Sequence, residues 1–305
     1  MSSDPLARPR RSDTSGEAEA PAIGVLNIDK PQGLTSHDVV ARVRRLTGQR
    51  RVGHAGTLDP SATGVLILCV GRATRILEYL TEGTKRYRAT IRFGLVTDTW
   101  DATGRPVAQG DWHGLTLEAL EKALERFRGH IEQVPPLYSA LKHKGQPLYR
   151  LARRGIEVER PSRAVDIYAL HVVSWHPPDL TLEIECSKGT YIRSLAHDLG
   201  QTLGPGAHLA ALTRLAVGRF TLGDAVPLAL FEEAARQGRW QEYLIPLREA
   251  LGHLPMVMVD AEQAKRIVHG RAVPLDVQGR PDIVCALDPA GRLLAILCPT
   301  NDDLW

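Results

Sequence analysis

One stretch of this chain concentrates groups that can do chemistry. RVGHAGTLDPSATG (Arg51 to Gly64) sets Asp59 among a histidine (His54), two hydroxyls (Thr57, Thr63) and three glycines (Gly53, Gly56, Gly64). The apolar run GVLILCV follows at once and has strand length, so it should anchor the loop rigidly. A carboxylate on a glycine-rich loop above a core strand is a catalytic arrangement. Asp-Pro is also a good turn starter, and an aspartate can cap backbone amides, so a structural Asp59 fits the same residues. GxxxxGK[ST], HExxH, GxGxxG and CxxC do not occur, which argues against the commonest nucleotide-hydrolysing, zinc-peptidase and dinucleotide-binding designs. Asp98 and Asp101 in TDTWDATG could suggest a metal. Two carboxylates ahead of a glycine are more often a turn with side-chain-to-backbone bonds. Cys69, Cys186, Cys285 and Cys298 are scattered, without zinc-site pairing. The first two lie in apolar runs and read as reduced core residues of a cytoplasmic protein. No metal site is expected.

The elements around this loop can be read from period and punctuation. GVLNIDK reads as a strand and Pro31-Gln32-Gly33 turns the chain. Thr35 with Asp38 forms a capping box. Val39, Val40, Val43 and Leu46 make the apolar stripe of the helix that follows, and Gly48 stops it. Its other face carries Arg42, Arg44 and Arg45, continuing into Arg50 and Arg51. A helix is expected from about 74 to 80, ended by Gly83. KRYRATIRFG then alternates: Tyr87, Ala89, Ile91 and Phe93 point one way, Arg86, Arg88, Thr90 and Arg92 the other. Thr116 caps a helix whose stripe is Leu117, Leu120, Leu124 and Phe127. VDIYALHVVSW and LTLEIECS read as strands, with a helix from about 191 to 199.

The 305 residues, 43% hydrophobic and 24% charged, describe an ordinary globular chain, one large domain or a large one with a small one. A net charge of +3 and a pI near 8.7 pull only gently toward a polyanion. No stretch approaches the length of a membrane span. Residues 1–22 mix Pro, Arg, Ser and acidic residues without an apolar core, as a disordered tail does and a signal peptide does not.

GHAGTLDPSATGVL strongly resembles the signature loop of the TruB family of pseudouridine synthases. KPQGLTSHD (Lys30 to Asp38), KRYRA (Lys85 to Ala89) and CSKGTYIRSLAHDLG (Cys186 to Gly200) resemble three further family motifs in the same order. The likeness runs through AHLAALTRLAVGRF and covers roughly residues 23–250, nearest to the bacterial enzymes that act on uridine 55 of tRNA. It implies that Asp59 is the catalytic aspartate, Tyr87 the active-site tyrosine near the target base, and Arg193 the arginine that pairs with the aspartate. It further implies that His54 helps hold the flipped-out nucleotide, that Tyr191 and Leu212 line the uridine pocket, and that Lys30 supports the loop and nearby RNA. The fold implied is an α+β catalytic domain over 23–250, with a mixed, largely antiparallel sheet flanked by helices. A PUA-like RNA-binding barrel would follow over 251–305. The chain stops at Trp305, about where a last strand is expected to begin, so an incomplete barrel and a shorter variant both fit. The family likeness also implies a monomer.

Pseudouridylation breaks the N1–C1′ bond, rotates the uracil and rejoins it through C5. Positive charge builds at the sugar, where a carboxylate can attack or stabilise it. Asp59 must be ionised, and Arg193 is expected to lower its pKa by roughly 1–3 units, outweighing modest desolvation. No redox step, hydrolysis or energy input occurs, so no cofactor is implied. Base flipping costs a few kcal/mol, and stacking on Tyr87 returns about 1–3 kcal/mol. Phosphate contacts are assigned to Arg42, Arg44, Arg45, Arg86 and Arg88. Lys142, Lys144, Arg153 and Arg154 join them from a basic, partly helical insertion over about 129–160, placed where the family folds a segment over the tRNA T stem-loop. The same chemistry on another RNA, and a non-catalytic RNA-binding or tRNA-folding protein, are the competing readings.

Overall fold

The computed structural model describes residues 22–139, 141–143, 145–156, 158–300 and 304–305. Residues 1–21 of the N-terminal tail, and Lys144 of the insertion, therefore lie outside the described residues. In chain order the strands of the main sheet begin with β1 (Gly24–Lys30), β2 (Val52–Ala55), β3 (Thr63–Val70) and β4 (Lys85–Phe93). After the short pair β5 (Leu95–Thr97) and β6 (Pro106–Gln109) comes β7 (Gly129–Gln133). A two-residue pair, β8 (Lys142–His143) and β9 (Gln146–Pro147), lies within the insertion. The sheet resumes with β10 (Arg163–His176), β11 (Asp179–Cys186), β12 (Ala207–Val217), β13 (Phe220–Thr221) and β14 (Val226–Pro227). The helices are α1 (Ser36–Thr47), α2 (Leu77–Thr81), α3 (Leu117–Leu124), α4 (Leu148–Arg153), α5 (Ile192–Leu203), α6 (Leu228–Arg236) and α7 (Leu247–Ala250).

The sheet runs β14-β1-β3-β12-β4-β11-β10-β7, with β2 on β3 and β13 on β12. Only β1–β14 and β3–β12 are parallel, so the mixed, largely antiparallel sheet is present. Local chemistry explains the elements. Thr35 and Asp38 form the expected capping box, and Gly48 closes α1 at φ 68°, a left-handed angle a side chain would resist. In β4 the alternation holds: Tyr87, Ala89, Ile91 and Phe93 are buried while Arg86, Arg88 and Arg92 are exposed. The stretch expected as one helix over 74–80 is instead a 3₁₀ turn, Gly71–Ile76, running into α2. β3 is buried along nearly its whole length, as a strand covered on both faces must be. Val39, Val40 and Val43 of α1 and Phe231 of α6 cover one side of β1 and β3. Leu195 and Leu199 of α5 and Leu120 and Leu124 of α3 join Tyr87, Ile91 and Ile184 in a second core.

Two features position the Asp59 loop. First, β3 divides its outer edge: β12 pairs only at Thr63 and Gly64, while β2 pairs from Ile67 to Val70. The loop from β2 to β3 crosses this fork. Second, β12 lies between β3 and β4, so Arg214 is register partner to both Gly64 and Tyr87.

Beyond residue 254 a three-stranded sheet forms from β15 (Met256–Met258), β16 (Val284–Leu287) and β17 (Leu293–Leu297). The Asp260–Gln263 capping box starts its helix α8 (Ala261–Val268). Trp305 exchanges backbone hydrogen bonds with Val273, so the last two residues pair back onto this unit. Among the described residues no helix is long and apolar enough to cross a membrane, and all four cysteines are free, three of them buried.

Candidate active site

Several residues around Asp59 are held from other parts of the fold. The Ser36 hydroxyl, in the first turn of α1, accepts from the Leu58 N–H at 2.9 Å and donates to the Leu58 carbonyl at 3.2 Å. The Gly33 N–H donates to the Pro60 carbonyl at 2.8 Å. Thr63 and Thr213 share a hydroxyl hydrogen bond of 2.9 Å. At the fork of the sheet, carbonyls of Val65, Gly56 and Thr57 lack a full strand partner. The Arg214 guanidinium donates to all three, at 2.7, 3.1 and 3.4 Å. Arg214 is 1% exposed and forms no ion pair among those described. Buried polar groups must be satisfied, and here one side chain satisfies backbone carbonyls of the Asp59 loop.

Asp59 meets Arg193 side on. Arg193 Nε lies 2.9 Å from Asp59 Oδ2 and Nη2 donates to Oδ1 at 3.2 Å, the two-pronged geometry of a strong arginine–carboxylate pair. Arg193 sits in the first turn of α5 and is 5% exposed. Its remaining N–H groups donate to the Tyr138 carbonyl at 2.9 Å and the Thr99 carbonyl at 3.3 Å. A second carboxylate, Asp101, places Oδ2 at 3.9 Å from Arg193 Nε. Asp101 is 6% exposed, and its Oδ1 accepts from the hydroxyls of Thr99 and Thr103 and the Thr103 N–H. The expected turn is present at Asp98 and Asp101, but Asp101 also faces the arginine.

The electrostatics reverse one expectation. Burial pushes the Asp59 carboxyl above the usual aspartate range; Arg193 opposes the rise, Asp101 adds to it, and Lys30 opposes it. The prediction that Arg193 outweighs desolvation is therefore not met. The loop encloses the carboxylate more tightly than its polar sequence implies, and Arg193 divides its charge between two acids. About a third of the Asp59 side chain, 35%, stays open to solvent, so a substrate can still reach it.

Tyr87 is buried beneath the loop with Leu58 and Ala62 in the α5 core. Burial raises its hydroxyl pKa, opposed by the adjacent Arg214 guanidinium. Tyr191 caps the start of α5, with its N–H donating to Gln133 Oε1 at 2.7 Å. Leu212 is half-buried against the same core. The charge of Asp59 acts on both tyrosines and on Lys30, so these groups share one neighbourhood. Lys30 is fully buried, and its Nζ donates to the carbonyls of Pro31 and Leu34 at 2.9 and 2.7 Å. Burial lowers it to about 8. It supports the turn that holds Pro60 and has no open face toward RNA. His54 packs edge-on against His37 at 5.5 Å, its Nδ1 is buried without a partner, and burial lowers its pKa.

The candidate phosphate contacts are dispersed. Arg42 pairs with Glu232 at 3.1 Å and Arg88 with Glu183 at 2.6 Å. Arg44 donates to the Val52 carbonyl at 2.5 Å. Arg45, Arg86 and Arg154 are exposed. By strand alternation Arg86 and Arg88 stand on the face of β4 opposite Tyr87. The side chains of Lys142 and Arg153 lie, with Lys144, outside the described part. Sequence reasoning passed over Arg214, although a lone arginine in the apolar run of β12 is a signal of a buried, bonded charge. It also weighed Asp101 as a metal ligand or a turn residue, not as a neighbour of the arginine. Among the described residues no group of three His, Cys, Asp or Glu side chains could hold a metal ion.

A paired carboxylate in a half-open cleft, over a mixed sheet whose helices supply the pairing arginine, is laid out here on the α+β pseudouridine synthase fold. Over 91% of its length the chain superimposes on 78% of a chain from the Cbf5-Nop10-Gar1 complex, with a TM-score of 0.71 at 28% identity. It also matches an H/ACA RNP bound to a substrate RNA containing 2′-deoxyuridine, with a TM-score of 0.68 at 26% identity, covering 90% of this chain and 77% of that one. The family model for the TruB family pseudouridylate synthase N-terminal domain matches residues 44–192. Models for the tRNA pseudouridylate synthase B C-terminal domain and the tRNA pseudouridine synthase II C terminus match 193–252 and 254–304. The tRNA pseudouridine synthase B of Dehalococcoides mccartyi strain CBDB1 is 46% identical, over 92% of this chain and 94% of its own. That of Gloeobacter violaceus is 52% identical over 84% and 88%. The chain belongs to the TruB family of pseudouridylate synthases.

Proposed function

We infer that this chain is an isomerase that converts uridine to pseudouridine in tRNA, acting on the T-loop uridine, position 55, as a cytoplasmic monomer. The observation that carries the reading is the two-pronged Asp59–Arg193 pair on a loop fixed at every flanking residue. In the reaction the N1–C1′ bond breaks, the uracil turns, C5 bonds to C1′, N1 gains a proton and C5 loses one. Atoms and electrons balance without an oxidant, a reductant or a hydrolysed nucleotide, so the chemistry calls for no cofactor. The Asp59 carboxylate attacks or stabilises the centre that becomes cationic. Arg193 holds both carboxylate oxygens in place and favours the charged form against burial. On this reading Tyr87, buried beneath the loop next to Asp59, lies beside the extruded base rather than on an open surface. The high identity to tRNA enzymes across nearly the full chain favours direct tRNA recognition over guide-directed targeting. On this reading the 129–160 segment contacts the T stem-loop, and the unit from 251 onward is a second RNA-binding domain.

The test is Asp59→Asn. Asn keeps the size and most hydrogen-bonding shape of Asp but lacks the charge and is a very poor nucleophile. Turnover should vanish with the melting temperature little changed. Affinity for tRNA should fall little, because phosphate contacts and stacking supply most of it. Unmodified tRNA is incubated with enzyme in excess and pseudouridine is mapped by position. Product from a folded Asp59→Asn protein, checked for deamidation, would refute the assignment.

A further inference from the structure

One aromatic cluster lies directly behind the catalytic arginine and has no part in the reaction as derived. Trp100 stacks on His197 with ring centroids 4.2 Å apart and planes 9° from parallel. The Arg160 guanidinium lies 5.3 Å from the Trp100 ring centroid. Arg160 Nη1 also donates to the Pro135 carbonyl at 3.0 Å, joining the two roots of the insertion across 25 residues of chain. Trp100 adopts φ 63°, a left-handed angle that a bulky side chain takes only where its surroundings impose it. The loop is stitched down on either side, by Trp100 N–H to the Thr97 carbonyl and by Leu209 N–H to the Trp100 carbonyl.

These contacts converge on Arg193. Thr99, just before Trp100, gives its carbonyl to Arg193 Nη1, and Asp101, just after, faces Nε. His197 follows Arg193 by one turn of α5. Tyr138, three residues beyond Pro135, gives its carbonyl to Arg193 Nη2. Three of the groups that orient the arginine thus sit on segments that the Trp100 cluster ties together. We propose that Trp100, clasped between His197 and Arg160, is a positioning residue: it locks the roots of the insertion to the loop and helix that aim Arg193 at Asp59. This rests on the reading of Asp59–Arg193 as the catalytic pair. Stacked rings and a cation over an aromatic face are each modest interactions, but small displacements of an orienting group can cost orders of magnitude in rate.

The experiment compares full-length wild type, Trp100→Ala, Trp100→Phe and Arg160→Gln in two assays. The first is limited trypsin digestion without RNA, following cleavage within residues 136–160. Trp100→Ala and Arg160→Gln should be cut faster there, with cleavage elsewhere unchanged. The second is single-turnover pseudouridine formation at saturating enzyme, with tRNA affinity and a pH profile. For both variants the rate should fall roughly 10- to 100-fold while affinity stays within about threefold, since phosphate contacts set it. The acidic limb should move to higher pH, because Arg193 restrains the rise of Asp59 that burial and Asp101 cause, with Lys30 the other opposing charge. Trp100→Phe, which keeps an aromatic face, should restore most of both. Faster digestion with an unchanged rate and limb would overturn the positioning role. A reduced rate with unchanged digestion would overturn the clasp. A wild-type protein that forms no pseudouridine would refute the proposed reaction instead, and the digestion pattern is read independently of it.

Discussion

Replacing Arg193 with lysine isolates what the two-pronged contact does, because charge is retained and shape is lost. Arginine reaches Asp59 Oδ2 at 2.9 Å and Oδ1 at 3.2 Å while also serving the Tyr138 and Thr99 carbonyls. A lysine ammonium is a single point on a shorter stem and cannot hold both carboxylate oxygens in fixed orientation while also serving the two backbone carbonyls. A hydrogen bond to a charged group contributes about 1.5–3 kcal/mol. Solvent reaches 35% of the Asp59 side chain and screens the contact, so the lower end applies. Since 1.36 kcal/mol equals one pKa unit, Asp59 should rise by about one further unit from a value already raised by burial. The sign is direct. On the proposed reaction Asp59 works ionised, its carboxylate is lost as pH falls through its pKa, and a higher pKa moves that loss upward. The acidic limb of the single-turnover rate should therefore shift up by about one pH unit in Arg193→Lys. The plateau should also fall, because the lost prong leaves the carboxylate free to turn. Release of tritium from C5 of the uridine follows the reaction, since C5 exchanges hydrogen for C1′. A lowered plateau with an unmoved limb would show that Arg193 orients Asp59 without favouring its charge. An unchanged profile would refute the pairing altogether.

Gly64→Ala should destabilise the fold by roughly 3 kcal/mol or more in a urea titration, because its Cβ would stand 2.3 Å from the Arg214 carbonyl oxygen at φ +98°; a wild-type midpoint would mean the β3–β12 fork is looser than described. Lys30→Met should remove a pH dependence: the buried ammonium is lowered from 10.5 to about 8, so between these values the unfolded chain holds a proton the folded one lacks and wild-type stability gains with pH. The wild-type-minus-variant difference in melting temperature should rise from pH 8 toward 10.5, and a flat difference contradicts the burial. Neutralising Lys142, Lys144, Arg153 and Arg154 together should weaken tRNA binding and reduce the log–log salt slope by roughly 0.7–0.9 per lost phosphate contact; an unaltered slope means the segment does not touch RNA.

Much of this site was legible because its parts are local. A capping box, a left-handed glycine after a helix and a period-two strand are written in neighbouring residues, so α1 and β4 followed from the sequence and with them the burial of Tyr87. The loop around Asp59 stood out through its glycines and hydroxyls. Periodicity could not give the long-range partners. Arg193 is 134 residues from Asp59, and only the family likeness joined them. Arg214 reads as one charge in an apolar strand until the fork of β3 shows which carbonyls need it. The pKa of Asp59 was misjudged for the same reason: loop composition says polar, but enclosure and the second acid at Asp101 are properties of the assembled fold.

The pieces explain one another once the charges are placed. A carboxylate that must act at a developing cation has to be anionic, dry enough to be strong and still reachable. Drying it raises its pKa, as burial does at Asp59. Arg193 offsets part of that rise without closing the cleft, because its other donors are spent on two backbone carbonyls that hold it to one side. Asp101 takes a share of the arginine, its Oδ2 3.9 Å from Arg193 Nε, and adds to the rise of the Asp59 pKa. Beneath them, Arg214 and Lys30 hold the loop by its carbonyls and those of the adjoining turn rather than by salt bridges. The floor of the site is thus bonded and cationic while the Asp59 carboxylate keeps its open side toward the cleft. On the proposed function an RNA with a base swung out brings its own negative charge to that cleft, and the buried cations near Asp59 would partly offset the repulsion between phosphate and carboxylate.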